Sequence, residues 1–150
     1  MAARFVRGAV PKEEWTHAAH LTVGAWHVRQ FGPVAAIDRL RTGIRALNDR
    51  HGTQNGPDSG YHETVTIAYV RLIDQYLLAC DAGLPFESCV AGLLAGSFAE
   101  RALLLRFWSR ARLMSTVARA LWTPPDLAPL ILPPDVAPRG FTSLPPTTTR

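Results

Sequence analysis

Two short segments hold the side chains best suited to chemistry: Trp15-Thr16-His17-Ala18-Ala19-His20-Leu21 and Ser59-Gly60-Tyr61-His62-Glu63-Thr64. Neutral imidazoles bind zinc, copper, iron and nickel, and a carboxylate beside them can act as a further ligand or as a base toward metal-bound water. His17 and His20 are three residues apart. On a helix advancing about 100° per residue they project to one side. His62 is followed at steps of four and three by Thr66, Tyr69, Ile73 and Tyr76. That row is mostly apolar, so His62 is expected to face the core.

Histidines delivered inward from neighbouring helices are a known way to build a metal centre in a bundle. The expectation is a mononuclear site in which His17, His20 and His62 hold one divalent ion (Zn, Fe, Cu, Mn or Ni) and leave a coordination position open. Glu63 is then the catalytic base or a further ligand. Glu13, one turn before His17, better suits the positive end of a helix dipole. His27 and His51 read as structural or surface residues. The HxxH pattern lacks the HExxH spacing of metalloproteases and the paired ExxH of di-iron bundles. The same residues also fit a metal-free polar pocket, or plain hydrogen-bonded core and cap histidines.

Arg106, Arg110 and Arg112 crowd together with no acid among them. A guanidinium matches carboxylate and phosphate geometry, so Arg110 and Arg112 are expected to anchor an anionic substrate, with Tyr61 as a hydrogen-bonding partner. The competing reading is a solvated face, or pairing with Asp74, Asp81 or Glu100, and aromatic core packing for the tyrosine.

These residues need helices to position them. Pro11 suits a first helical position, and Phe31-Gly32-Pro33 should end a helix running to about Gln30. Val34, Ile37, Leu40, Ile44 and Leu47 predict an amphipathic second helix, stopped at His51-Gly52. The run GTQNGPDS is a loop, with Asp58 or Ser59 as cap of a third helix reaching about Cys80. A fourth is expected from Pro85 or Phe86 to Leu94, a fifth from Phe98 to Trp108, and a short sixth from Ser115 to Trp122. Eight of the twelve prolines lie between Pro124 and Pro146. Residues 123–150 are therefore expected to form an extended Pro-rich tail, its first half packed on the helical domain of residues 1–122 and its remainder loose from about Gly140.

A chain of 150 residues with 47% hydrophobic and 19% charged residues is long enough for one cored domain. No apolar run is long enough to span a bilayer, and no secretory signal is read in Met1 to Glu14, so the expected location is the cytoplasm. The net charge of +4 comes almost wholly from dispersed arginines, with Lys12 the one lysine. Without a basic cluster or interleaved aromatics, nucleic acid is not the expected partner. Cys80 and Cys89 read as small buried hydrophobes; neither belongs to a CxxC motif, and no nucleotide-binding loop or GxSxG elbow is present.

The two histidine segments, together with Trp108-Ser109-Arg110-Ala111-Arg112-Leu113-Met114-Ser115 and Trp122-Thr123-Pro124-Pro125-Asp126-Leu127-Ala128-Pro129-Leu130, resemble the signature blocks of a family of small uncharacterised bacterial proteins. The resemblance covers residues from about 12 to 130. It implies a compact helical domain and carries no chemical activity with it. The chain departs from the pattern at Phe107-Trp108, where a tyrosine-rich pair is expected.

The sequence thus reads as an all-α, single-domain helical bundle of about five to six helices. Its expected function is that of a metal-dependent enzyme acting on a small anionic molecule, with hydrolysis, elimination and oxygenation not separated. The alternative is a non-catalytic helical module that binds a small ligand or a partner protein through a metal-free His/Glu pocket. A homodimer burying part of the apolar helical surface is compatible with either.

Overall fold

The computed structural model describes residues 1–139, and the outer tail from Gly140 lies outside them. The described residues are all-helical without a strand: α1 (Ala2–Val6), α2 (His17–Arg50), α3 (Glu63–Ala79), α4 (Phe86–Ala95), α5 (Arg110–Leu113) and α6 (Thr116–Ala120). None of these helices is long and apolar enough to cross a membrane.

Helix α2 begins five to six residues later than the Pro11 signal suggests. Lys12–Glu14 forms only a 3-10 turn, and the Thr16 side chain accepts from the Ala19 N–H at 3.2 Å to cap the helix. The expected break at Gly32-Pro33 is present: Gly32 takes φ 77° and ψ 165°, outside helical space, and the chain then resumes as a helix. A residue with a Cβ would be strained in that conformation.

The start of α3 also differs from expectation. Asp58 and Ser59 remain in the loop, which Asn55 pins by donating to the Arg45 carbonyl and accepting from the Tyr61 N–H. His62 is the cap: its Nδ1 accepts from the Val65 N–H at 3.2 Å. Its ring therefore lies outside the helix whose side-chain row was expected to carry it inward.

Helices α2 and α3 pack most extensively on each other. Leu21, Val23, Leu72 and Ile73 lie in their shared core, which Leu93 and Phe98 extend. The expected helix from Phe98 to Trp108 is not formed. It is replaced by 3-10 turns at Ser97–Ala99 and Leu103–Arg106. Here Leu103, Leu104, Phe107 and Trp108 are all buried, and the backbone has partners outside the segment, with Phe107 O accepting from Leu127 N–H at 2.9 Å. The Phe98 carbonyl likewise accepts from His17 Nε2 at 2.8 Å, where a regular helix would commit it to the N–H four residues on.

The described part of the Pro-rich tail lies against the helices. Val136 is buried, and Leu130 and Leu132 rest against the core. Gln75 of α3 clips the tail from both sides, donating to Leu130 O and accepting from Leu132 N–H. The segments that begin at Trp108 and Trp122 interlock with each other and with the start of α3. Asp126 accepts from the backbone and hydroxyl of Ser109, while the Trp108 indole donates to Thr123 O at 2.9 Å. Thr64 bridges to the same strip by donating to Leu121 O and accepting from Thr123 N–H.

Candidate functional site

A cavity of about 400 Å³ opens between α2 and α3. Leu21, Leu40, Val70, Ile73, Leu104 and Leu113 supply apolar wall, and Trp15, His17, His20, Thr66, Tyr69 and Arg101 supply the polar groups. This volume lies in the usual range for small-molecule sites, which are concave, mostly apolar and furnished with a few polar groups.

The placement of His17 and His20 follows from the Thr16 cap, which sets both in the first turn of α2. Each ring is oriented by a carbonyl. His17 Nε2 donates to Phe98 O at 2.8 Å, and His20 Nδ1 donates to Thr16 O at 2.8 Å. Since a carbonyl only accepts, those nitrogens carry the protons. The neutral rings then keep a lone pair on Nδ1 of His17 and on Nε2 of His20. His17 meets the Tyr69 ring edge-on at 5.5 Å, and His20 lies against the Trp15 indole with centroids 3.8 Å apart. The indole N–H of Trp15 is buried without a partner, an orphaned donor beside the cavity.

Burial lowers the His20 imidazole below its ordinary pKa, outweighing the bond to the Thr16 carbonyl that would raise it, and the nearby Arg101 charge acts with burial. His20 is therefore neutral near pH 7, with Nε2 available as an acceptor or base. Burial pushes the Tyr69 phenol up to about 12, keeping it a hydrogen-bond donor.

His62 and Glu63 stand apart from this arrangement. Neither lines the cavity. Both nitrogens of His62 are engaged, Nδ1 by the Val65 N–H and Nε2 by Leu113 O at 2.8 Å. In this pose the ring has no lone pair left for a metal, and it ties the start of α3 to the end of α5. Glu63 is buried and clasped by Arg41, whose Nε lies 3.1 and 3.0 Å from its two oxygens. Burial is the largest influence on the Glu63 carboxyl and would raise it, but the hydrogen bonds from Arg41, with the nearby Tyr61 hydroxyl and the Arg41 and Arg45 charges, outweigh it and hold the group below its ordinary value. Among the described residues no three His, Cys, Asp or Glu side chains are grouped to hold an ion. The expected convergence of three imidazoles is not formed, because His62 closes a helix end rather than projecting from the helix.

The residues expected to bind substrate are also elsewhere. Tyr61 is buried under the Arg45 guanidinium, 4.8 Å from its ring centre, and burial raises its phenol to about 12. Arg112 donates to Pro124 O, and Arg110 is exposed. Arg106 pairs with Asp135 at 2.8 Å rather than with Asp74, Asp81 or Glu100. Glu13 is exposed in the 3-10 turn before the helix. Sequence reasoning missed Arg101 and Trp15 as lining residues. A signal existed for Trp15, which directly precedes the cap and histidines, but none for Arg101.

All five histidines donate one ring nitrogen to a main-chain carbonyl: His27 to Val23 O and His51 to Val10 O complete the set. Burial lowers His20, His27 and His62 below the ordinary value of 6.5. The unfolded chain therefore binds protons on these groups at a higher pH than the folded chain does. Their contribution to stability is complete above about pH 6.5 and is lost as pH falls through the depressed folded values. Urea denaturation should show stability dropping between pH 6.5 and 5, above the carboxylate range, by at most about 1.4 kcal/mol per pH unit for each histidine. In His62→Gln the slope should be shallower; a profile flat from pH 7 to 5 in the native protein would contradict the buried-imidazole assignment.

Compared with known proteins, the chain matches no family model, no curated protein and no solved structure.

Proposed function

We propose that the protein binds a small, mainly apolar molecule in the α2–α3 cavity, with His20 Nε2 accepting a proton or hydrogen bond from it. The observation that carries this reading is a cavity of about 400 Å³ with an apolar wall and two carbonyl-oriented imidazoles at one side. Aliphatic side chains provide burial for the ligand body, and a neutral imidazole in a water-poor site is an effective acceptor or general base. The Tyr69 hydroxyl adds a donor. This is the metal-free alternative of the sequence reading, relocated from His62 and Glu63 to the groups around His17 and His20.

The test is a thermal-shift screen of untagged protein against small aromatic and aliphatic acids, alcohols and amines. Val65 lines the cavity, and Val65→Phe should fill part of it. Ligands that raise the melting temperature of the native protein should fail with Val65→Phe. Hits that bind both proteins equally, or no hits, would refute the cavity as the binding site.

One observation favours a second reading, a divalent ion on His17 and His20 alone. A carbonyl on the far nitrogen is the usual way a protein orients an imidazole ligand. Such an ion would supply Lewis-acid or redox chemistry, with substrate or water completing its shell. Zinc or nickel titrated into the same untagged protein should then raise its melting temperature, His20→Gln should abolish the rise, and His62→Gln should retain it.

A further inference from the structure

Most arginines of this chain are occupied. Arg4, Arg41 and Arg106 are in ion pairs, Arg39, Arg45 and Arg71 lie over aromatic rings, and Arg50, Arg112 and Arg119 donate to carbonyls. Arg7, Arg29, Arg101, Arg110 and Arg139 make no such contact among the described residues, and of these Arg101, which is exposed, is the one that lines the α2–α3 cavity. No aspartate or glutamate lines that cavity to neutralise it. A guanidinium at the edge of an apolar cavity, with no anion of its own, favours a ligand that places a carboxylate at the mouth and an apolar body inside.

We propose that Arg101 selects the ligand, and that the cavity takes monocarboxylates with an apolar body, the carboxylate held by the Arg101 guanidinium. This rests on the cavity reading above and names its substrate class. An ionised carboxylate only accepts, so a donor for His20 Nε2 would have to come from a hydroxyl or similar group on the ligand body, and simple carboxylates test the Arg101 contact alone. It also relocates the anion anchor from Arg110 and Arg112, neither of which reaches the lining.

Octanoate, octanol and octylamine share one apolar body and differ in head group, so calorimetric titration of each separates charge recognition from burial. Octanoate should bind the full-length protein about tenfold more tightly than octanol, with octylamine the weakest, and the preference should shrink with added salt. Arg101→Gln should bring octanoate down to the affinity of octanol and leave octanol unchanged. Arg110→Gln, at an exposed arginine outside the cavity, should change neither. Arg101 has no ion-pair or hydrogen-bond partner among the described residues, so its replacement is expected to leave the melting temperature unaltered.

Equal binding of octanoate and octanol, or a carboxylate preference that survives Arg101→Gln, would overturn the role of Arg101 while leaving the cavity as a binding site. Binding of any probe that is unaffected by Val65→Phe, or no binding by all three, would remove the cavity reading and this inference with it.

Discussion

Replacing Arg41 by alanine should cost the protein about 2–4 kcal/mol, because it strands a buried carboxylate. The Glu63 side chain is only 10% exposed, and Arg41 at 34% is the partner that satisfies it. Removing one member of a buried ion pair typically costs about 3–5 kcal/mol; the partial exposure of Arg41 lets water recover some of that. Against a usual total of about 5–15 kcal/mol, the loss is large. Chemical denaturation at pH 7 would measure it. Lowering the pH should reduce the deficit, since Glu63 without its guanidinium regains a high carboxyl pKa and is neutralised earlier. The double variant Arg41→Met with Glu63→Leu should recover much of the stability. A deficit below 1 kcal/mol in the single variant would show that the pair does not hold α2 to α3. This also separates structure from chemistry at Glu63, since a catalytic base could be changed to glutamine without such a loss.

Trp108→Ala should be at least as damaging. The side chain is completely buried, its indole donates to Thr123 O, and its ring packs edge-on against Trp122 at 5.8 Å. Truncating a core tryptophan costs about 3–5 kcal/mol through lost transfer energy and the cavity left behind. The stranded Thr123 carbonyl adds about 1 kcal/mol if water cannot reach it. For a chain of this size the melting temperature should fall by about 10 °C or more. Trp108→Phe separates the contributions, because it retains most of the volume and loses the donor. It should fall by less than half as much. If both variants melt near the native temperature, the docking of the tail strip does not depend on this residue.

How far the sequence was legible follows from which interactions are local. The amphipathic half of α2 after Pro33, the core face of α3 and the extent of α4 depend on spacing within one segment, and the expected elements appear within a residue or two. The N-cap of α3 was misplaced because an imidazole does what Asp58 or Ser59 would ordinarily do, with Asn55 holding the loop back from the helix. The segment from Phe98 to Trp108 has helical composition, but its burial and its outside hydrogen-bond partners come from distant residues. No local pattern contains that information.

At the site, the HxxH spacing places His17 and His20 on one side of a helix, and in the structure both stand in the first turn of α2 and line the cavity. It could not show that Glu63 would be paired by Arg41, twenty-two residues earlier, or that His62 would reach Leu113, fifty-one residues later. Residue types conspicuous for catalysis are also good structural ties, and only their partners distinguish the two uses. Arg101 shows the converse: an arginine among several, made notable only by what lines the cavity with it and by what does not.

The five ring-to-carbonyl bonds have one more consequence. Each oxygen fixes which nitrogen is protonated, so the tautomers are distributed by the main chain: Nε2–H in His17, His51 and His62, and Nδ1–H in His20 and His27. A ring pinned in this way offers a visiting molecule one atom only. For His17 that atom is Nδ1, for His20 it is Nε2, and His62, already met on both sides, has none to offer.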